Sequence, residues 1–311
     1  MSAPYDSAAR GSAARNDLED LLDAPGFAGQ ILRGCPGRVA GHLPLLDQVV
    51  GVTVAGPVIM NDVGTYADPT GMGGPIRCRD SQITLRLNAS HLRTALITEP
   101  AAHRLPPTLR LFDTDGACAH VTYLTDQSDR LAFESLTLAG YLTPATGDVD
   151  AHPIALRFGP CDQLDQLDSV LFDGGVTRMR SLPQPHSDAT RVCERRAIAA
   201  LSHAALLTMP TTLIAGAAGC LHMRDGVLTG SREHEGSMVL ASGSARTMID
   251  FNHISECWVT WANGACGRTG SIELYDAAGK CRFIATQTGP QTQAGAAGWT
   301  QLLEDVADEA A

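Results

Sequence analysis

The stretch LRLFDTDGACAHVTYLT, Leu109 to Thr125, returns as IELYDAAGKCRFIATQT, Ile272 to Thr288, 163 residues later. At that offset Asp113/Asp276, Gly116/Gly279, Cys118/Cys281 and Thr125/Thr288 are identical. Each copy holds two apolar runs around a turn whose glycine supplies positive φ, the pattern of a β-hairpin. Outward from the hairpin and without a gap, Ala55-Gly56 falls on Ala218-Gly219, Met60 on Met223, Asp62 on Asp225, Gly73 on Gly236 and Thr84 on Thr247. Residues 55 to 125 give 13 identities in 71 positions, so the shared hairpin pattern rather than identity carries the case for duplication. Solenoid units of about 20 to 50 residues cannot bury a sheet face alone, whereas a unit of this length can. The chain of 311 residues is predicted to form two similar lobes.

Short apolar or alternating runs separated by Gly, Pro and Asp predict strands over Val49–Val54, Pro57–Asn61, Pro75–Cys78, Ile83–Leu87 and His91–Ile97, then the hairpin Thr108–Asp113 and Ala117–Leu124. Short helices are expected over 16 to 24 and 43 to 49, and SDRLAFESL, with Ser128 as its cap, closes the first lobe. Trp299 and LLEDV form the corresponding helix of the second. Residues rich in Asp, Gln, Pro and Gly, with one helix near Asp162 to Phe172, connect the two. The predicted boundaries are 1–140 for the first lobe with its N-terminal helices, 141–188 for the connector and 189–311 for the second lobe. Mainly antiparallel sheets with flanking helices make the class α+β, two tandem repeats rather than a βαβ order.

Nine cysteines without paired spacing predict free thiols and a reducing, cytoplasmic setting. The first residues have no apolar segment behind a basic start, so no secretory signal is expected. Ala197 to Met223 is 27 residues without a formal charge, but Pro210 divides it into a helix and a strand, each too short to span about 30 Å of hydrocarbon. A net charge of −11, with Lys280 the only lysine, argues against nucleic acid as a partner. Arg191, Arg195 and Arg196 cluster where a helix begins and read as a solvated face. TGMGGP, Thr70 to Pro75, lacks the Lys-Ser/Thr of a phosphate loop, and no nucleophile elbow or metalloprotease helix occurs. Cys118-Ala-His120 and Cys220-Leu-His222 share a C-x-H spacing, shorter than the usual zinc-ligand spacing.

LRLFDTDGACAHVTYLTDQSDRLAFESL, together with HISECWVTW followed by GSIELYDAAGK, resembles the heme-utilisation family of the HemS/ChuX type in its duplicated form, over about residues 30 to 305. The resemblance implies two stacked, pseudo-twofold antiparallel sheets with helices, a cytoplasmic bacterial protein, heme as ligand, and a role in binding, carrying or degrading imported heme. An importer or a reductase would be its partner. It also implies ligand positions. Arg86, in LRL, matches a propionate-binding arginine, and His120 matches a histidine of the first-lobe segment whose neighbouring lysine is here Val121. The family's interlobe axial histidine falls in DQLDQLDSVLF, at Asp165 or Asp168. Met60 stands for a first-lobe histidine, Trp261-Ala262-Asn263 for a basic run, and a second-lobe arginine falls near Thr288.

Heme iron takes imidazole, phenolate or thiolate, its propionates take cations, and the macrocycle takes apolar walls. The cofactor-binding candidates are therefore Arg86, His120, Tyr123, His152 and His186, with His120, His152 and His186 as iron ligands. Half-buried strand positions are the plain alternative for His120 and Tyr123, sheet surface for His91 and His253, and core packing for Met60 and Met223. A divergent paralogue that has lost heme, serving as a scaffold or binding another small molecule, is the competing reading.

Overall fold

The computed structural model describes residues 16–78, 82–99, 106–139, 162–184, 188–265 and 267–308. The first lobe comprises α1 (Asp17–Leu22), β1 (Gly29–Ile31), α2 (Pro36–Ala40), β2 (Asp47–Ala55), β3 (Val58–Tyr66), β4 (Thr70–Gly71), β5 (Gln82–Leu87), β6 (Leu92–Thr98), β7 (Thr108–Asp113), β8 (Cys118–Ser128) and α3 (Arg130–Ala139). The connector carries α4 (Gln163–Asp173) and α5 (Val176–Ser181). The second lobe comprises β9 (Ala189–Val192), α6 (Glu194–Leu206), β10 (Pro210–Ala217), β11 (Cys220–His234), β12 (Ser237–Ser242), β13 (Ala245–Asp250), β14 (Ile254–Gly264), β15 (Gly267–Asp276), β16 (Cys281–Thr286) and α7 (Gln293–Asp308). The 163-residue offset relates β5 to β13 end for end, and it also relates the starts of β8 and β16 and of α3 and α7. The α+β, duplicated architecture is as expected.

Local differences have local causes. Pro75–Cys78, which follows the turn at Gly73 (φ +72°), is irregular rather than a strand. Residues 43 to 46 are a 3-10 turn, and the chain is extended from Asp47. Asp129, not Ser128, caps α3, with its Oδ1 accepting from the Ala132 amide at 2.9 Å; the Ser128 hydroxyl instead donates to the Gln48 carbonyl. Both hairpins use one device. Asp113 Oδ1 accepts from the amides of Asp115 and Ala117, and Asp276 Oδ1 from those of Ala278 and Lys280. Gly116 and Gly279 follow at φ +79° and +74°, where a Cβ would be strained.

The lobes join by reciprocal strand pairing. β13 of the second lobe pairs with β3 of the first through Thr247↔Met60, and β5 of the first pairs with β11 of the second through Thr84↔Met223. At the 163-residue offset these are one pairing seen from each side, which is the pseudo-twofold relation. The result is one hydrogen-bonded sheet in the order β1-β6-β7-β8-β2-β3-β13-β12-β11-β10-β16-β15-β14-β9. Its helices bury apolar stripes: Ala197, Leu201 and Ala204 of α6 and Trp299 and Leu303 of α7 pack on Leu213, Ala215, Ile272 and Phe283. Met60 and Met223 are core residues, in separate clusters. Among the described residues no helix is long and apolar enough to cross a membrane.

At the junction the interior turns polar. His120, buried on β8, has Nδ1 at 2.8 Å from the Thr53 hydroxyl and Nε2 at 2.6 Å from the Tyr66 hydroxyl, which also contacts Thr122. The His222 ring stands edge-on to it at 5.5 Å between centroids. Beyond lies the buried ion pair Arg224–Asp62 at 3.0 Å, with Ser244 donating to Asp62. Burial holds His222 down to about 3, aided by the nearby Arg224 charge, and burial together with His222 lowers His120.

A second lock fastens the connector. α4 opens on Asp162, whose carboxylate accepts from the Leu164 amide, and ends on Gly174 in the left-handed region. Between them Asp168 accepts from Arg86 Nε at 2.7 Å and from the Gly73 amide at 2.7 Å, and Arg86 Nη2 stands at ion-pair distance, 2.6 Å. On the opposite side Glu273 of β15 receives Arg178 of α5, Gln166 of α4, Thr260 and Tyr275. Burial would raise the Glu273 pKa, but the Arg178 charge and these donors hold it below the usual carboxylate value.

Two outcomes follow. Arg86→Ala strands a buried carboxylate and should cost about 3 to 5 kcal/mol in urea unfolding, whereas the paired replacement Arg86→Met with Asp168→Leu should recover most of that loss. For the histidines, unfolded imidazoles protonate near pH 6.5 while the folded ones stay neutral, so the unfolded state binds more protons below that pH. Stability should fall as pH drops from about 6.5 toward 5, by up to about 1.4 kcal/mol per pH unit per histidine, and His222→Phe should flatten the slope.

Candidate functional site

A cavity of about 490 Å³ opens on the second lobe, bounded by the first turn of α4, the β14–β15 turn, the chain leaving β16 and the first turns of α7. Its chemistry is amide and hydroxyl. Gln163, Thr269, Gln287, Thr288, Gln291, Gln293 and Thr300 line it with several Gly and Ala residues, and among the described residues Arg268 is the one charged lining residue. Gln163 is buried and fixed, donating to Thr286 and to the Gln287 carbonyl at 3.0 Å. Gln287 in turn donates to the Pro210 carbonyl at 2.9 Å. Behind Thr288 runs a short chain in which its hydroxyl lies 2.9 Å from that of Thr212, which donates to Asp225. Arg268 stacks its guanidinium 4.6 Å from the Trp261 ring centre and bonds Asp188 at 2.8 Å, half exposed.

These groups suit a ligand that carries a carboxylate. Arg268, half exposed and shared with Asp188, and the α7 N-terminus, where Thr292 takes the Gly295 amide, provide modest positive potential. Among the described residues that line the cavity none is a histidine, tyrosine, cysteine or methionine, so these give heme iron no axial ligand. Nearby, burial pushes the Cys78 thiol up to about 12, against a hydrogen bond to Thr288, which leaves it protonated near neutrality. Among the described residues the donor set fits propionates rather than the iron.

The residues singled out by sequence are scattered rather than gathered here. Arg86 is fully buried and bound to Asp168, so it is no free cation for a propionate. Asp168, on the helix where an axial histidine was implied, is equally engaged, and the glycine-rich turn serves to hold it through Gly73. Both ring nitrogens of His120 are occupied inside the junction. Tyr123 is a half-buried strand residue opposite Val50 and Thr108. His91 packs its ring 6.2 Å from Phe172, and His253 is exposed against Asp250. His152 and His186 lie outside the described residues. Of the other implied positions, Thr288 lines the cavity and Trp261 stacks on its Arg268 from behind. Sequence reading missed Gln163, Arg268 and the α7 turn; the Gln/Gly/Ala loop before α7 was the available signal.

Comparison with known proteins agrees with this architecture. The sequence model of the haemin-degrading HemS/ChuX domain matches residues 24–139 and again 175–306. The chain is 21% identical over 295 residues to the hemin transport protein HemS of Yersinia enterocolitica, covering 89% of this chain and 84% of that one. It is 22% identical over 256 residues to HmuS of Yersinia pestis, covering 76% and 74%. Among solved structures, holo-PhuS, a heme-binding protein from Pseudomonas aeruginosa, superposes with a TM-score of 0.70 at 18% identity over 93% of this chain and 88% of that one. ChuS, an E. coli heme oxygenase, gives 0.70 at 18% identity over 93% and 90%. With the family domain matched twice along one chain, this protein belongs to the haemin-degrading HemS/ChuX family in its two-lobe form.

Proposed function

We propose that this chain acts in heme utilisation in the cytoplasm as a heme-binding carrier, holding heme by its propionates at the second-lobe cavity. The observation that supports it is the cavity's lining: one arginine and the α7 first turn converge on a space bounded by neutral donors, within the fold of a heme-handling family. A carrier must release its cargo, and anchorage mainly through propionates suits that release. His152 and His186 of the connector are the histidines proposed to complete the iron's coordination; His186 lies two positions before Asp188, the partner of Arg268. An importer would deliver the heme. A reductase would be required only for degradation.

One observation favours a second reading. The Arg86–Asp168 pair satisfies with protein atoms a site where the family resemblance implied ligand contacts, as expected of a paralogue that has given up heme for another small carboxylate.

Hemin titration followed by the Soret band separates these. A carrier gives a saturable one-to-one shift that weakens by about 10- to 100-fold in Arg268→Ala, the loss of one charge-assisted contact of about 1.5 to 3 kcal/mol. His186→Ala and His152→Ala should change the band shape if either ligates iron. A non-saturable response supports the second reading, and loss of the band with ascorbate in the presence of catalase supports degradation.

A further inference from the structure

The junction between the lobes holds more hydrogen-bonding capacity than the protein itself uses. His222 is completely buried, and neither of its ring nitrogens has a protein partner. On the same face of β11 two residues on, Arg224 gives Nη1 to Asp62 but leaves Nε unmatched. Thr247, opposite Met60 on β13, and Ser242, at the end of β12, each bury an unmatched hydroxyl. A Cβ at Gly243 would stand 2.5 Å from Arg224 Nη2, so the β12–β13 turn closes directly over this guanidinium. Unpaired polar atoms gathered in one place are costly and rare in folded proteins, and enclosed water is their usual partner.

We propose that the lobe junction is an internal binding site for a small cluster of ordered water, held by His222, Arg224, Ser242 and Thr247. A neutral imidazole presents one donor and one acceptor, and water can answer both. A cation is disfavoured because Arg224 sits beside the site and both nitrogens of His120 are engaged by Thr53 and Tyr66. An anion is disfavoured because the guanidinium charge is already balanced by Asp62 at 3.0 Å. The cluster would join β11, β12 and β13 through solvent, beside Asp62 of β3, the ion-pair partner of Arg224.

Water-oxygen magnetic relaxation dispersion on the full chain reads long-lived enclosed water directly. The expected result is a dispersion step that shrinks in Thr247→Val and in His222→Leu, each with a lowered melting temperature because the remaining waters lose a partner. Thr247→Val changes shape least and carries the test if His222→Leu fails to fold. A wild-type chain without a dispersion step, or variants that melt higher with the step unchanged, would overturn the proposal by showing the atoms to be dry. The readout needs no heme, so failure of the carrier reading and failure of this one are separate.

Discussion

Everything in this molecule hangs on the exchange of strands across the pseudo-twofold. A β-edge is a row of unpaired donors and acceptors, and an antiparallel lobe made from one repeat would expose such an edge. Here β3 receives β13 and β11 receives β5, in the same register, so each lobe closes the other's edge. That pairing fixes where the inner faces of β8 and β11 meet, and hence where His120 and His222 stand edge to edge. It also places β5, and with it Arg86, within reach of α4.

The connector is the second consequence. α4 and α5 fill the space beside the exchanged strands, and they are fastened by buried charge on two sides, Arg86–Asp168 toward the first lobe and Arg178–Glu273 toward the second. Glu273 accepts from four side chains, so its charge is well matched, and Asp168 adds a backbone amide to its arginine. Buried pairs of this kind contribute little net stability but penalise every arrangement in which one member is left alone. They therefore specify a single seat for the connector, and the cavity at the end of α4 takes its shape from that seat.

What could be read from sequence was what is decided locally. The hairpins were legible because an aspartate, a glycine and two alternating runs determine them within a few residues, and α4 was legible because Asp162 and the residues to Phe172 carry a helical period. Pro75–Cys78 was misread because a short apolar run has no period of its own, and pairing partners settled the matter. The part played by Arg86 was hidden for a deeper reason: its partner lies 82 residues away, and only the fold brings them together. The cavity left almost no trace, since glutamines and threonines with one arginine form no motif until a turn, a strand end and a helix start converge.

The reciprocal registers also bear on how the chain comes apart. Neither repeat contains a finished sheet; the polar junction and the exchanged strands straddle the same boundary, and the two clasping ion pairs hold the connector to either side of it. Loosening one lobe thus opens the other's edge at the same moment. Counted by topology the chain has two domains; counted by cooperativity it has one.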